Sequence, residues 1–499
     1  MDFLDPRKRR AHKIRLMIGY VLVAIAICLA TVILVYSTNG YGINTKTGQI
    51  IENGLLFVDS KPGGAQIYLN GQDKKTTSAR LVIPAGDYSL TLKKTGYESW
   101  QRSFTLEASS VERFVYPFLL PSNPRVTKLA SYASQPVMMT QSPDQRWLLV
   151  RKVTASKTVD FDMYDTRALG KAPVTVSIPA GILTGNEGSA ANLAVVEWST
   201  DNNNVLMKHS FKGGSEFIVF NRAKPASSFN VNKVFKTDPD GVALFNKKVA
   251  QLYMFDATAQ TVRLGTVSSG SLAAPLVKKV LAFKPYGTNL MTYVTSNNMP
   301  KGVVQARIWN SGKTYPLYSF PAGSIYLIDA AQYSGHWYYY AGSDTEKKIN
   351  IYEDPINDIN NPSIGHAIPT LALNVAGATK AGFSTNARFI EVENGQSFGV
   401  YDIETQSNYQ YRLTDKLEAP LTWMDGHRLI GETDGHVFVT DYDSTNQHHF
   451  VATTDEDGGL FSSNYNHLFT FQAGSKKQVN LVNVDMRAGT DLPADPNAN

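Results

Sequence analysis

The chain has 499 residues, 43% of them hydrophobic, which is enough for about two or three domains with packed cores and excludes a disordered tether. Its formal net charge is +5, but six basic residues precede the first apolar segment: Arg7, Lys8, Arg9, Arg10, Lys13 and Arg15. The remainder is close to neutral and lacks the positive field that a phosphate backbone requires, which argues against nucleic-acid binding.

The first predicted element is a transmembrane helix at residues 16–36, LMIGYVLVAIAICLATVILVY. This segment carries no charge and has about the ~20 residues that a helix needs to cross a hydrocarbon core of about 30 Å. The basic residues precede the span and only Lys46 follows it closely, so the positive-inside rule predicts a cytoplasmic tail at residues 1–15. We therefore expect a single-pass protein of the plasma membrane with its C-terminal domains outside the cytoplasm.

A cleaved signal peptide begins in the same way, with basic residues followed by an apolar run. The run here is longer than the ~7 to 15 residues of a signal peptide, which favours an uncleaved signal anchor. Cys28 is the only cysteine and lies inside the span, and Ile27 precedes it where a lipid-attachment site requires a small residue. The exterior part therefore has no disulfide and no cysteine-ligated metal, as is common in large bacterial surface proteins.

Two segments with different composition follow the span. Residues 37–53 are rich in Gly, Asn and Thr and predict a short stalk. Residues 54–120 predict a small β-domain, because apolar and polar residues alternate on either side of the turns at Pro62-Gly63-Gly64 and Pro84-Ala85-Gly86-Asp87.

The turn formers and strand residues of this β-domain resemble a PEGA domain. The matching positions, in the family's order and spacing, are Gly54, Val58, Ser60, Pro62, Gly64-Ala65, Ile67, Asn70-Gly71, Thr77, Pro84-Ala85-Gly86, Tyr88 and Gly96-Tyr97. Gly63 replaces the Glu of the motif that names the family, and Ser78 stands where a Pro often follows the Thr. The resemblance implies a small all-β module of prokaryotic surface proteins that binds or spaces rather than catalyses.

Residues 125–487 show one recurring pattern and almost no helical periodicity. A turn of Ser, Pro, Asp, Gly or Asn is followed by a short apolar strand and then by a second strand. The second residues of the eight turns are Ser142, Ser199, Thr237, Lys284, Ser334, Ser384, Met424 and Ser462. Their spacing averages about 46 residues, close to the ~40 to 50 residues of a four-stranded propeller blade.

These repeats resemble WD40-like propeller repeats of the TolB type, in which a Ser-Pro-Asp-Gly turn precedes an apolar strand and a later strand ends in Asp. Ser142-Pro143-Asp144 and Asp238-Pro239-Asp240-Gly241 keep that turn best. The sequence predicts a β-propeller of seven or eight blades, with an array of β-sandwiches as the structural alternative. Four tryptophans near the turns are expected to pack between blades: Trp147, Trp198, Trp337 and Trp423. The predicted fold class is thus all-β behind one transmembrane helix.

The candidate chemical motifs all favour a structural interpretation. Gly395-Gln396-Ser397-Phe398-Gly399 matches a nucleophile elbow, but it lies between two strand patterns and no helix follows it. Most histidines occur singly, and the adjacent His448 and His449 would point to opposite faces of a strand. Asp455-Glu456-Asp457-Gly458 and Asp238-Pro239-Asp240-Gly241 lack the ordered ligands of a calcium loop and predict solvated turns. We predict no catalytic residue, no metal and no cofactor.

The leading functional hypothesis is a non-enzymatic binding or assembly protein of the cell envelope. Its propeller would recognise another envelope protein or a cell-wall glycan. Two alternatives stay open, a propeller-type polysaccharide hydrolase or lyase, whose acids could meet across blades, and a passive surface spacer. The sequence assigns no ligand-binding residue and no oligomeric state, and residues 488–499 predict a disordered end.

Overall fold

The residues described in the computed structural model of the chain are 6–38, 40–43, 50–153, 158–184 and 191–491. The first element is the helix α1 (Pro6–Thr38), which contains all six basic residues of the predicted tail. Its segment His12–Tyr36 has 25 residues and a mean hydropathy of 2.9, and none of the apolar window is buried. At about 1.5 Å per residue it is long enough to cross a hydrocarbon core. Its length, composition and position suit a membrane anchor or a signal sequence.

One compact unit of the chain spans residues 1–123 and 487–499. The described residues of its β-domain form eight strands: β1 (Tyr41–Ile43), β2 (Ile50–Val58), β3 (Gln66–Leu69), β4 (Gln72–Thr76), β5 (Ala79–Pro84), β6 (Gly86–Lys93), β7 (Trp100–Leu106) and β8 (Val111–Phe114). One sheet has the order β1-β2-β5, with β8 parallel to β2, and the other has the order β4-β3-β6-β7.

The core of this domain follows from the alternation along its strands. Leu56 and Val58 of β2 are buried, whereas Leu55 and Phe57 lie half exposed on the opposite side of the same strand. The buried residues of both sheets, including Trp100 of β7, form one hydrophobic core. The two-residue periodicity read from the sequence is therefore the periodicity of burial.

The structure differs from the predicted stalk at residues 37–53. Tyr41–Ile43 forms β1 and pairs with residues 50–52 of β2, so the β-domain starts before Gly54. A three-residue strand is too short to produce a visible alternation, which explains why the sequence pattern did not indicate it. Residues 44–49 lie outside the described part of the chain.

The chain returns to the first unit after its last β-strand. The backbone N–H of Ala488 donates to the Tyr97 hydroxyl (2.8 Å), and that hydroxyl donates to Oδ2 of Asp491 (3.0 Å). Nζ of Lys94 lies 3.0 Å from the same oxygen. Residues 488–491 are thus ordered by contacts that no local sequence pattern reveals, whereas disorder was predicted from 488 onward. Residues 492–499 lie outside the described residues.

The second unit, residues 124–486, consists of eight antiparallel sheets, here called blades 1 to 8. The chain first forms β9 (Val126–Tyr132). Blades 1 to 4 contain β10 (Met138–Gln141), β11 (Trp147–Arg151), β12 (Val159–Asp165), β13 (Val174–Ile178); β14 (Asn192–Trp198), β15 (Asn204–Phe211), β16 (Gly214–Asn221), β17 (Phe229–Asn230); β18 (Gly241–Phe245), β19 (Lys248–Asp256), β20 (Thr261–Thr266), β21 (Ser271–Leu272), β22 (Val277–Lys278); and β23 (Val280–Tyr286), β24 (Leu290–Thr295), β25 (Val303–Asn310), β26 (Lys313–Pro321).

Blades 5 to 8 follow in the same order. They contain β27 (Tyr326–Tyr333), β28 (His336–Ser343), β29 (Ile349–Glu353), β30 (Leu371–Leu373); β31 (Lys380–Phe383), β32 (Phe389–Asn394), β33 (Ser397–Asp402), β34 (Ser407–Arg412); β35 (Thr422–Trp423), β36 (Arg428–Thr433), β37 (His436–Asp441), β38 (His448–Ala452); and β39 (Leu460–Phe461), β40 (His467–Ala473), β41 (Val479–Asp485) with β9. Two short helices, α2 (Val231–Phe235) and α3 (Pro355–Asn360), lie in the connections between strands.

The strand β9 closes the ring. It precedes blade 1 in the sequence but pairs with β41 as the fourth strand of blade 8. Tyr132 of β9 shares a hydrogen bond with Tyr164 of blade 1 (2.9 Å between hydroxyl oxygens), within a core formed by blades 8 and 1. The structure thus has eight blades, in agreement with the eight repeat units, and it is a propeller rather than an array of β-sandwiches.

Most of the recurring turns connect the first and second strands of a blade, as Ser142 does between β10 and β11. The exception is Asp238-Pro239-Asp240-Gly241, which precedes the first strand of blade 3. The true first turn of that blade is Asn246-Lys247, and both residues have positive φ. The proline turn resembled the repeat in composition, and composition alone does not place a turn within a blade.

Candidate functional site

Four blades share one design for the turn between their first and second strands. Each turn starts with a buried serine, which is Ser142, Ser199, Ser384 or Ser462. In blade 6 the Ser384 hydroxyl donates to Oδ1 of Asn386 (2.8 Å) and accepts the backbone N–H of Phe389 (3.0 Å). The serine therefore fixes the start of the second strand by satisfying a backbone donor.

An ion pair joins the start of the second strand to the end of the third strand in blades 1 and 6. The guanidinium of Arg146 binds Asp165 and that of Arg388 binds Asp402, each at 2.7 Å between Nη2 and Oδ2. The hydrogen bond from Arg146 lowers the pKa of Asp165. This pair explains the recurring Asp at the end of a later strand, which the sequence pattern indicated.

The same arginines cover an aromatic ring. In blade 1 the ring of Trp147 lies between the guanidinium groups of Arg146 (4.6 Å) and Arg222 (4.1 Å). In blade 6 the guanidinium of Arg388 lies 5.0 Å from the ring of Phe389. Each ring belongs to the first residue of the second strand and pairs with the Asp of the third strand. The arginine therefore both bridges two strands and shields the ring.

Blade 5 also pairs a cation with an acid at the end of its third strand. Nδ1 of His336 lies 2.7 Å from Oδ2 of Asp354, and the Trp337 backbone N–H donates to Oδ1 of the same carboxylate (2.8 Å). The ring of Trp337 faces Tyr286 of the preceding blade, whereas the ring of Trp147 faces Arg222 of the following blade. Among the described residues, no Lys or Arg lies over the Trp337 ring, whereas the Trp147 ring has two guanidinium groups over it.

A cavity of about 500 Å³ lies beside Trp337, between blades 4 and 5. The ring of Tyr286, at the end of β23, meets the Trp337 ring edge to face with 5.0 Å between centroids. The other side chains around the opening are mostly polar: Asn289, Asn310, Ser311, Tyr339, Asp354 and Asn357. The cavity therefore combines two aromatic rings with amide, hydroxyl and carboxylate groups.

The polar groups of this cavity are held by local turns. Asp354 has a left-handed backbone (φ 44°, ψ 44°), and Pro355 begins α3 directly after it, which places Asn357 in the first turn of that helix. Ser311 N–H donates to the Asn289 carbonyl oxygen (2.8 Å), so the two turns of blade 4 support each other. Among the described residues, the side-chain amides of Asn289 and Asn357 make no hydrogen bond, which leaves their donors and acceptors available to a ligand.

His336, Glu353 and Asp354 form the group with the donor types and spacing of a metal site in the described chain, with donor atoms within 4.8 Å of one another. Nδ1 of His336 already bonds to Asp354 and lies 3.4 Å from Oε1 of Glu353. The hydrogen bond to Asp354 raises the pKa of His336, which favours the imidazolium. The trio is therefore accounted for as the ion pair of blade 5, with histidine in place of arginine.

A second cluster of titratable groups was not indicated by any sequence motif. Glu391 and Glu393 of β32 are buried, and Nζ of Lys380 lies 3.8 Å and 3.5 Å from their carboxylates. Burial raises the pKa of both carboxyl groups well above the ordinary value of 4.5. Their spacing of two residues, in a strand buried on both faces, was the available signal. The residues that line the cavity of blade 5 do not include this cluster.

The structure places the motifs singled out in the sequence in structural roles. Gly395 and Gln396 form the hairpin turn between β32 and β33, so the Gly-x-Ser-x-Gly motif is strand–turn–strand as expected. His449 binds Asp415 with 3.1 Å between Nε2 and Oδ2. In the acidic turn at 455–458, Oδ1 of Asp455 accepts the backbone N–H of Asp457 (3.3 Å).

The four tryptophans are all partly exposed rather than fully buried. Trp198 donates to the hydroxyl of Thr140 in blade 1 (2.9 Å), and Trp423 stacks on Phe389 of blade 6 (5.9 Å). Those contacts agree with packing between blades. Trp337 also contacts the neighbouring blade through Tyr286, but it borders the cavity, which the sequence interpretation missed. No local sequence pattern indicated this role, because the other wall of the cavity comes from blade 4.

Comparison with known proteins identifies the N-terminal β-domain. A family model of the PEGA domain matches residues 53–118, so the resemblance read from the turn residues is confirmed for this segment. The match begins within β2 and ends just after β8. A search of curated proteins with this sequence finds no match.

Several solved structures are similar to the chain over about two thirds or more of its length. Hsv2 of Kluyveromyces lactis is 10% identical, and the alignment covers 71% of this chain and 98% of that one with a TM-score of 0.38. An oligogalacturonate lyase from Vibrio parahaemolyticus is 9% identical, with coverage of 73% and 98% and a TM-score of 0.34. The dihydro-heme d1 dehydrogenase NirN is 12% identical, with coverage of 63% and 65% and a TM-score of 0.39. The propeller assignment itself rests on the strand pairings described above.

Proposed function

We propose that the chain is a membrane-anchored, extracytoplasmic binding protein whose propeller recognises a cell-wall glycan at the cavity beside Trp337. The single observation that carries this proposal is the cavity between blades 4 and 5, whose aromatic wall consists of Trp337 and Tyr286. Among the described residues no guanidinium lies over the Trp337 ring, whereas the rings of Trp147 and Phe389 in blades 1 and 6 have one over them. A partly exposed ring beside such a cavity is a feature that packing alone does not require.

The chemistry of the cavity suits a sugar. One face of a pyranose ring is lined by C–H groups, which pack on an aromatic ring, and its hydroxyl groups exchange hydrogen bonds with amides. Trp337 and Tyr286 supply the rings, and Asn289 and Asn357 supply amides without partners in the described chain. A volume of about 500 Å³ lies within the usual range for small-molecule sites. Two or three sugar units of a polysaccharide fit such a cleft.

Membrane topology supports an extracytoplasmic role. The six basic residues at the start of α1 favour retention of the N-terminus in the cytoplasm, which supports the proposal that the PEGA domain and the propeller lie outside. An uncleaved α1 then holds the propeller near the membrane of the envelope. The proposed partner is therefore a wall polymer or another component on that side of the membrane.

We propose binding without catalysis. Glycosidic hydrolysis in most enzymes uses two carboxyl groups about 5 to 9.5 Å apart on opposite sides of the bond. Asp354 is the only acid among the described residues that line the cavity, and both of its oxygens are engaged by Trp337 N–H and His336. The hydrolase alternative thus lacks its second acid among the described residues that line this cavity. A passive spacer would have no ligand at all.

The test measures glycan binding by the full-length protein in nanodiscs. Soluble fragments of cell-wall polysaccharides are titrated against wild type and against Trp337→Ala and Tyr286→Ala. Loss of stacking on Trp337 is expected to weaken binding at least tenfold, which corresponds to about 1.4 kcal/mol. Trp147→Phe is the control, because it changes the ring of another blade, one that two arginines shield.

Each outcome separates the alternatives. Binding that weakens in the two cavity variants and not in the control supports the proposal. Wild-type binding that is unchanged by Trp337→Ala would place the glycan elsewhere. A wild type that binds no glycan, with a captured envelope protein instead, would favour the protein-recognition hypothesis, and release of shortened glycan products would favour the enzyme.

A further inference from the structure

The first sheet of the PEGA domain presents an ordered set of side chains on its outward side. Leu55 of β2 pairs with Val82 of β5 on one side and with Val111 of β8 on the other. Two residues farther along β2, Phe57 pairs in the same way with Arg80 and Arg113. Because residues two apart in a strand share a face, these six side chains form two adjacent rows, here called the β2–β5–β8 face.

The β2–β5–β8 face is exposed, although most of it is apolar. Val82 is 65% exposed and Val111 is 49% exposed, whereas the next residues inward, such as Leu81 and Phe114, belong to the core. An apolar row that is continuous across three strands is unusual for a solvated face.

The charge of this face has one sign. Two of its six residues are arginines and none is acidic, and the guanidinium of Arg113 lies 4.5 Å from the ring of Phe57. The nearest acid along β2 is Asp59, which follows the strand and accepts hydrogen bonds from Ser60 N–H and the Ser78 hydroxyl. The face thus offers apolar groups and cations side by side.

The position of the face relative to α1 is set by chain length. Tyr41 lies three residues after the end of the helix, and it pairs with Glu52, three residues before Leu55. With at most about 3.6 Å per residue, Leu55 lies within roughly 30 Å of the end of α1. The rings of Tyr36 and Tyr41 also meet, with 5.3 Å between centroids, which joins the end of the helix to the first sheet. A domain tethered this closely stays near the bilayer surface.

We infer that the β2–β5–β8 face docks on anionic phospholipid headgroups, so that the PEGA domain lies against the membrane in which α1 is anchored. The inference rests on the anchoring role of α1 in the proposed function. Arginine binds phosphate through two parallel N–H donors, and Leu55, Val82 and Val111 insert among the first carbons of the acyl chains. Arg80 and Arg113 flank the apolar row, as in other interfacial surfaces that combine both contributions.

The test uses the full-length chain in nanodiscs and a spin label at a single cysteine. Cys28 is the only natural cysteine, so Cys28→Ser gives a clean background for Val82→Cys, and Ser103→Cys, exposed on the second sheet, is the control position. Accessibility to a water-soluble nickel complex and to oxygen is compared in discs of phosphatidylcholine and in discs with phosphatidylglycerol added. The nickel accessibility of the label at residue 82 is expected to fall at least threefold when phosphatidylglycerol is present, and that of the label at residue 103 is expected to be unchanged.

One double variant and one further label position distinguish the possible outcomes. Replacing both arginines, Arg80→Ser with Arg113→Ser, should restore nickel accessibility at residue 82. A label on natural Cys28 reports separately whether α1 lies in the bilayer, and a water-exposed Cys28 would overturn both the anchor and the docking. With Cys28 in the bilayer, equal accessibility of residue 82 in the two lipids would overturn the docking alone. Spin–spin broadening that requires two copies in one disc would assign the face to self-association instead.

Discussion

Nδ1 of His336 lies 2.7 Å from Oδ2 of Asp354, and the pair joins the second strand of blade 5 to the end of its third strand. Arg388 and Asp402 join the same two strands of blade 6, and the Arg388 guanidinium also lies over the ring of Phe389. Among the described residues, no guanidinium lies over the ring of Trp337, which follows His336. That ring is therefore open to the candidate binding cavity.

The ion pair predicts how His336 titrates. The hydrogen bond to Asp354 raises the pKa of His336 above its ordinary value of about 6.5. A raised pKa in the folded state means that this stabilisation is complete below about pH 6.5 and is lost as the pH rises through the folded-state pKa. NMR titration of the imidazole should show the raised pKa in wild type and a return toward the ordinary value in Asp354→Asn. Asp358→Asn, a change of an acid on α3, should leave the titration unaltered, and identical curves for wild type and Asp354→Asn would refute the pairing.

Glu391 predicts an unusual dependence of stability on pH. Burial raises its pKa and that of Glu393 in the folded state, so the folded protein holds protons that the unfolded chain releases. Stability from this pair is therefore greatest below about pH 4.5 and falls as the pH rises through the raised pKa values. Glu391→Gln removes one buried ionisable group and should raise the free energy of unfolding at about pH 8 by roughly 1 to 3 kcal/mol.

Chemical denaturation of the two proteins at about pH 5 and pH 8 measures this effect. Glu418→Gln, which changes an exposed carboxylate paired with Lys416, is the control and should leave the difference between the two pH values as in wild type. A Glu391→Gln protein whose free energy of unfolding is lower than that of wild type by the same amount at both pH values would contradict this account. It would show that neither burial nor Glu393 keeps the Glu391 carboxyl group protonated.

The Tyr97 hydroxyl predicts a stabilising role for the segment that returns from the propeller. It accepts the N–H of Ala488 and donates to Asp491, and burial raises the pKa of Tyr97 to about 12. Tyr97→Phe removes both hydrogen bonds and should cost about 1 to 2 kcal/mol. Hydrogen exchange should become faster at residues 488–491. Tyr68→Phe is the control, because the Tyr68 hydroxyl makes no hydrogen bond among the described residues, and equal exchange in both variants would contradict this role.

Much of the fold was predictable because strand burial repeats every two residues and blade turns repeat their chemistry. Leu56 and Val58 marked the inner face of β2, and Ser142, Ser384 and Ser462 marked first turns because a serine hydroxyl satisfies a backbone donor there. Composition misled where Asp238-Pro239-Asp240-Gly241 imitated such a turn outside its blade position. The pairing of β1 could not be predicted from the sequence, because a strand of three residues shows no alternation of apolar and polar positions.

The candidate site was harder to predict because its parts are distant in sequence. Tyr286 and Trp337 belong to different blades and meet only when blade 5 packs on blade 4. Trp337 was expected to be packing, and its ring does contact the neighbouring blade. Its second role depends on the cavity beside it, and that cavity forms only between the two packed blades. The buried cluster of Glu391 and Glu393 could likewise be recognised only once both faces of β32 were known to be buried.

The most direct test of the central claim adds an arginine beside the cavity. His336→Arg should keep an ion pair with Asp354 and extend a guanidinium toward the Trp337 ring, and His436→Arg adds the same charge at an exposed position of blade 7 as a control. The measurement is the dissociation constant of the full-length protein for the cell-wall glycan fragment that wild type binds best. A dissociation constant at least tenfold higher in His336→Arg, with thermal stability retained and the control unchanged, is the predicted result. Equal affinity of His336→Arg and wild type would contradict the assignment of the cavity beside Trp337 as the glycan site.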